Sequence, residues 1–333
     1  MRNILRKSML CAALFAFMGA FAQGPNGSGT YYRAADGKKG KALKTALAKI
    51  IGNPKVTSYD GLLDAYKQTD RRDDGKVWDM YSNTTNFSFS DCTGNYKKEG
   101  DMYNREHSFP KSWFGGKVKP MYCDIVHIVP CDGYVNNRRG HEPFGETDGD
   151  KYKSNNGFSK LGASKTPGYS GTVFEPNDIY KGDFARIYLY MATCYEDKIS
   201  SWSSPMLAGN AYPAYKEWAV KLLLKWAEQD PVSEKETNRN NAAYKVQSNR
   251  NPFVDYPGLE EYIWGDMQNV SFSYDNYQQP TSIITVNTPK TPRPVRVYTI
   301  GGTLVRTADS ADDALRGLAK GIYIVDGKKY VAQ

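Results

Sequence analysis

The chain has 333 residues, 40% of them hydrophobic, and carries 44 Lys and Arg against 36 Asp and Glu for a formal net charge of +8. That apolar fraction suffices for a packed core, while a mean hydropathy of −0.63 excludes a multi-span membrane protein. A basic chain with 25 tyrosines suits contact with polyanions or saccharides as well as ordinary packing.

Residues 1–22 read as a signal peptide. Arg2, Arg6 and Lys7 precede the apolar run 9–21, which ends at Ala20-Phe21-Ala22. The run is too short to span a bilayer, so no stable membrane span is expected. Residues 42–51 place apolar side chains at helical spacing and stop at Gly52-Asn53-Pro54, and residues 58–69 predict a second helix. Residues 77–81 alternate and predict a strand.

A polar turn at 91–99 carries Cys92 and leads to a short strand over 103–109, whose regular pairing Pro110 would end. Gly115-Gly116 opens a loop with Lys117 and Lys119. Residues 124–129 predict a second strand closed by Pro130, and residues 133–139 a helix. Residues 145–170 read as a polar surface excursion. The run 182–195 is the most hydrophobic helix candidate outside the leader, followed by helices over 214–227 and 234–247 and an extended, turn-rich segment at 251–257. The domain reading is a 23–275 catalytic region, a 276–294 linker rich in Pro, Thr and Gln, and a 295–333 module of short strands. Cys92, Cys123, Cys131 and Cys194 remain once the leader and its Cys11 are gone. An even count in an exported chain permits two disulfides of open connectivity, with free buried thiols as the alternative.

The residues that carry chemistry sit on the strand–strand–helix run. Phosphodiester hydrolysis needs a base for water, a cation for developing charge and positive groups on the backbone. Neutral His107 can be the base and Glu106 a hard oxygen ligand, with Asn136 as second ligand through its amide oxygen and Arg138 and Arg139 as a phosphate clamp. Arg105, Lys111, Lys117 and Lys119 supply further positive charge for substrate. Adjacent strand residues face opposite ways, so Glu106 and His107 serve one site only where the chain bends or the site lies at an edge. Taken singly, a Glu-His pair also fits a surface strand end, and His127 an ordinary core histidine.

The stretches Arg105-Glu106-His107-Ser108-Phe109-Pro110-Lys111-Ser112-Trp113-Phe114 and Asp124…His127…Pro130…Gly133…Asn136…Arg139 resemble the bacterial endonuclease I family. Three later stretches do so too, around Gly182-Asp183-Phe184-Ala185-Arg186, Asp230-Pro231-Val232 and Gln247-Ser248-Asn249-Arg250-Asn251-Pro252. The resemblance implies an α+β fold of the ββα-metal (His-Me finger) class and a secreted, sequence-non-specific endonuclease that leaves 5′-phosphates. It further implies His107 as general base and one Mg²⁺-like ion (Ca²⁺ or Mn²⁺ in its place) on Glu106 and Asn136. Arg139, with Arg186 as the alternative, is the implied phosphate-side arginine. Family members carry an arginine in the loop after the first strand, where this chain has Lys117 and Lys119, so the transition-state cation stays open. The tail Val297-Tyr298-Thr299-Ile300-Gly301-Gly302…Gly321-Ile322-Tyr323-Ile324-Val325 resembles the C-terminal sorting domain of type IX secretion, a β-sandwich that engages the export machinery. The expectation is a monomer acting on DNA, with RNA as an open second substrate, outside the cell or at its surface. The rival reading is a non-catalytic polyanion- or glycan-binding surface protein with a vestigial site.

Overall fold

The computed structural model describes residues 24–92, 94–280, 295–299, 304–308, 314, 316–319, 321–325 and 328–332. The signal peptide and most of the expected linker lie outside the described residues. The chain divides into two compact units, Met1–Pro280 and Thr281–Gln333.

In the first unit, α1 (Gly40–Ile51) buries Leu43, Leu47 and Ile51, one apolar stripe at i, i+4, i+8. Lys44 lies on the same buried side because its ammonium meets Glu196 at 2.9 Å and the Ala211 carbonyl at 2.9 Å. The second helix, α2 (Gly61–Thr69), buries Leu62, Ala65 and Tyr66. Residues 77–81 form no strand. Val77 makes only an isolated bridge to Arg71, and Asp79 Oδ1 accepts from the Tyr81 and Ser82 amides at 2.7 and 3.2 Å. The carboxylate thus bends the chain where apolar alternation suggests extension.

Strands β1 (Tyr103–His107) and β2 (Ile128–Asp132) form a two-stranded antiparallel sheet in which Arg105 faces Pro130 and His107 faces Ile128. The second strand starts four residues later than expected, and Pro130 lies inside it. Residues 124–127 turn instead, because buried Asp124 accepts from the Val126 amide at 2.9 Å. A proline is tolerated within a strand when the sheet has only edges. Helix α3 (Gly133–Arg139) follows directly, as expected, with Asp132 as N-cap accepting from the Val135 amide at 2.9 Å. Gly133 is required there, since a Cβ would come within 2.5 Å of the Tyr96 ring.

The 145–170 excursion contributes β3 (Tyr152–Lys153) and β4 (Lys160–Ala163), which join β5 (Thr172–Glu175) in a three-stranded antiparallel sheet. Next comes α4 (Lys181–Cys194), buried along all 14 residues. It is the central rod, and α1, α5 (Glu217–Gln229) and α7 (Pro252–Asp255) pack on it. Helix α5 lays Trp218, Leu222, Leu223 and Trp226 inward, and α6 (Glu234–Gln247) begins with a Ser233/Glu236 capping box. Residues 252–255 are a helical turn rather than extended, since Asn251 caps the Phe253 amide at 3.0 Å and Pro252 occupies the first helical position.

The fold of this unit is mixed α+β. In the second unit β6 (Val295–Thr299), β7 (Leu304–Ala308), β8 (Gly321–Val325) and β9 (Lys328–Ala332) form one antiparallel sheet in the order β7-β6-β8-β9. The described residues hold no second sheet to make a sandwich of it. Among the described residues no helix is long and apolar enough to cross a membrane.

Candidate active site

A groove of about 530 Å³ runs past the end of β1, lined by Asn104, Arg105, Glu106 and His107 from that strand, Lys111 and Ser112 after it, and Asn136 and His141 from and beyond α3. Four consecutive strand residues reach one groove because β1 pairs on one side only, and the groove wraps its open edge. The strand ends at His107, three residues before the expected stop at Pro110, and the 3₁₀ turn Lys111–Phe114 that Pro110 caps then divides its side chains. Trp113 and Phe114 anchor inward while Lys111 and Ser112 stay exposed at the groove. On α3, Val135 and Arg139 point to the core at i, i+4, which turns Asn136 and Gly140 to the groove. Gly140, at φ +63°, ends the helix in a backbone conformation that favours glycine, and His141 follows it onto the groove wall.

His107 is 5% exposed. Its Nε2 lies 3.2 Å from the Tyr122 carbonyl oxygen. A carbonyl only accepts, so Nε2 carries the proton and Nδ1 is left with the lone pair. The ring stacks on Tyr122, centroids 5.1 Å apart, and lies 5.6 Å from His127. Burial, and then the neighbouring His127, push its pKa down to about 3. The imidazole is therefore neutral, an acceptor, at any physiological pH. His127 itself is a buried core residue, its Nε2 on the Met121 carbonyl at 2.7 Å and its Nδ1 without a partner. Burial lowers it to about 4.

Glu106 Oε1 accepts from Arg139 Nη1 at 2.6 Å and from the Tyr81 hydroxyl at 3.0 Å. Oε2 has no hydrogen-bond partner among the described residues. Burial raises the carboxyl above its usual range, and Arg139 pulls it back. One carboxylate oxygen is thus fixed and the other free, in a groove that also holds the Asn136 amide, which has no hydrogen-bond partner among the described residues. Two hard oxygen donors with open positions for water and phosphate fit a divalent ion of the Mg²⁺ type, which keeps several waters. Among the described residues no group of three or more His, Cys, Asp or Glu side chains makes an alternative metal site.

Two expected phosphate contacts are placed elsewhere. Arg139 is 1% exposed. Its guanidinium donates to Glu106, to Tyr81 Oη at 2.6 Å, to the Ser108 carbonyl at 2.8 Å and to Tyr188 Oη at 3.1 Å, all inside the protein. It braces the site from behind. Arg186 does not line the groove. It is buried on α4 in a bidentate pair with Glu236, at 2.7 and 2.6 Å. Lys117 and Lys119 are exposed on their loop, and Arg138 is exposed over the Tyr134 ring at 4.8 Å, and none of the three lines the groove. Arg105 does, while its guanidinium stacks 3.8 Å from the Tyr59 ring and donates to Asp60 at 3.0 Å. The possible disulfides are not formed. Cys92, Cys123, Cys131 and Cys194 are free thiols, and Cys92 lines the groove. Tyr59, Ser112 and His141 were not picked out as site residues by sequence. For His141 the available signal was a histidine directly after the Gly that stops the predicted helix.

Residues 39–258 match the family model described as Endonuclease I. The chain is 38% identical over 244 residues to the extracellular ribonuclease of Bacillus subtilis (strain 168), covering 71% of this chain and 78% of that one. The extracellular ribonuclease of Bacillus amyloliquefaciens is 36% identical over 253 residues, with the same 71% and 78% coverage. Endonuclease-1 of Buchnera aphidicola subsp. Baizongia pistaciae is 28% identical over 131 residues, 39% of this chain and 45% of its own length.

Proposed function

The chain belongs to the endonuclease I family, a nuclease by that membership, and from this premise we propose that it is a secreted, metal-dependent endonuclease of the ββα-metal type. It hydrolyses DNA and RNA without sequence preference to 5′-phosphate products. The observation that carries the site assignment is the His107 ring, whose Nε2 is held on the Tyr122 carbonyl and whose Nδ1 is free to accept. The two Bacillus relatives are named ribonucleases, which brings RNA in beside DNA. Their names and the signal-like leader support secretion. The C-terminal sheet serves export.

His107 Nδ1 takes a proton from the attacking water as its oxygen bonds to phosphorus, and the bond from phosphorus to the 3′ oxygen breaks. Lys111, exposed at the groove, holds a phosphate oxygen, and Arg105 and His141 flank the strand. Glu106 Oε2 and the Asn136 amide oxygen would hold the ion, which supplies charge stabilisation at the scissile phosphate and the departing oxygen. Arg139 draws the Glu106 carboxyl down against the upward pull of burial and fixes which oxygen it presents.

The test is cleavage of plasmid DNA and of a single-stranded RNA by the purified protein, with Mg²⁺ or EDTA, beside His107→Ala. Loss of the base should slow both about 10²–10⁴-fold, and EDTA should stop the wild type. Equal rates for wild type and variant would remove His107 from the mechanism.

A further inference from the structure

The outer face of α1 and the segment leading into it, residues 33–49, expose charge of one sign, Asp36 apart. Arg33, Lys38, Lys39, Lys41 and Lys49 are all exposed, and none forms an ion pair among the described residues. Asp36, the one carboxylate between residues 33 and 49, accepts from the Tyr274 amide at 3.2 Å. Among the described helices of eight or more residues, α1 alone contains no acidic side chain. The contrast with α5 is direct. There Lys221 meets Glu217 at 2.6 Å and Lys225 meets Glu146 at 2.5 Å, so an ordinary solvated helix face neutralises itself. Like charges left unpaired on one face repel and raise the local potential, a cost without return unless an anion comes to it.

The cations also have shape. Lys38, Lys41, Thr45 and Lys49 recur at three- and four-residue spacing, and with Ala34, Ala42 and Ala46 they line one shallow groove of about 570 Å³. The alanines keep its floor low, so an extended polymer can lie along it. Lys41 and Lys49 stand about 12 Å apart along the helix axis, which demands a partner with repeated charge rather than a single ion. The backbone beneath is pinned. Gly37 N and Phe272 N exchange bonds with the Phe272 and Lys38 carbonyls at 2.7 and 2.8 Å, and Gly40 N donates to the Tyr262 carbonyl at 3.0 Å.

We propose that this face is a second nucleic-acid contact, separate from the catalytic groove, that takes the phosphate backbone of a long strand by charge. The inference rests on the reading of the chain as a nucleic-acid hydrolase. It predicts that the protein discriminates polymer from fragment. A long strand engages both surfaces, and a hexanucleotide engages the catalytic groove alone.

The experiment compares the wild type with Lys38→Ala/Lys41→Ala/Lys49→Ala and with Lys216→Ala/Lys221→Ala/Lys225→Ala, which changes net charge equally at the start of α5 and along it. Binding of a 60-base-pair duplex is measured in EDTA over a series of salt concentrations, and cleavage of a hexanucleotide and of plasmid in Mg²⁺. The α1 variant should lose about 2.7 from the slope of log K against log salt, at about 0.9 per phosphate contact. Its plasmid KM should rise at least about tenfold, while hexanucleotide cleavage is unchanged. A Lys→Arg triple at the same three positions should restore duplex binding. Equal slopes for the α1 and α5 variants would overturn the proposal. So would loss of affinity for phosphatidylglycerol vesicles with duplex binding intact, which would make the occupant a lipid surface. If the wild type cuts nothing, the nuclease reading fails while the duplex titration still decides the face.

Discussion

Replacing Arg139 with alanine distinguishes a strut from a phosphate clamp. In this structure the guanidinium is buried, pairs with Glu106 at 2.6 Å and donates to Tyr81, the Ser108 carbonyl and Tyr188. Its removal leaves the Glu106 carboxylate buried without its countercharge, which costs about 3–5 kcal/mol. For a unit of this size each kcal/mol lowers Tm by about 2–4 °C, so a fall of about 6–20 °C is expected. Thermal denaturation followed by circular dichroism measures it. Nuclease activity falls too, because Glu106 both loses its fixed oxygen and is pushed towards its protonated form by burial. Arg139→Lys keeps the charge but cannot reach Glu106 and the Ser108 carbonyl together, so it should recover only part of both losses. If Arg139→Ala melts with the wild type and instead flattens the salt dependence of DNA binding by about one phosphate contact, the strut argument is wrong and the clamp is right.

Glu106→Gln and Asn136→Ala should each weaken Mg²⁺ binding by more than about tenfold, read by isothermal titration without substrate, and unchanged affinity in both would place the ion elsewhere. Lys111→Ala should raise KM for DNA and cost about 0.9 in the salt slope, with kcat nearly kept; a fall confined to kcat would contradict a binding role. His127 titrates at about 4 when folded against 6.5 when exposed. Between those values the unfolded chain binds a proton that the folded one refuses, so stability falls as pH drops from 6.5 to 4, by about 3 kcal/mol. Urea denaturation at pH 7 and pH 4 should show the wild type losing that much more than His127→Gln, and parallel losses would refute the assignment.

Local pattern carried much of this reading. Apolar spacing and hydrophobic runs placed α1, α2, α4 and α5 within a few residues, α3 and the polar α6 lie where helices were expected, and adjacency in sequence brought Arg105, Glu106, His107 and Lys111 to one wall of the groove. Asn136 joined them because a helix directly follows the second strand. The failures have a common physical origin. A charge is free or used according to partners far along the chain, and Arg186 is consumed by Glu236 fifty residues later. Arg139 is likewise enclosed by Tyr81 and Tyr188. At 77–81 a single carboxylate, Asp79, overrode an alternating pattern by capping its own turn. His141 and Tyr59 reach the groove through turns whose direction no periodicity encodes.

The oxygen that fixes the tautomer of His107 belongs to the peptide of Tyr122, not to a side chain. Every residue type at position 122 would present it. An alanine scan is therefore blind to this bond, and a substitution at 122 removes only the stacking of the Tyr122 ring on the imidazole. What can disturb the bond is the path of the main chain, which Asp124 and His127 hold from either side through their own bonds to backbone atoms of the same turn. The readiness of the base is thus inherited as a contour of the chain, and variants that impair it will map to neighbours that never meet the substrate.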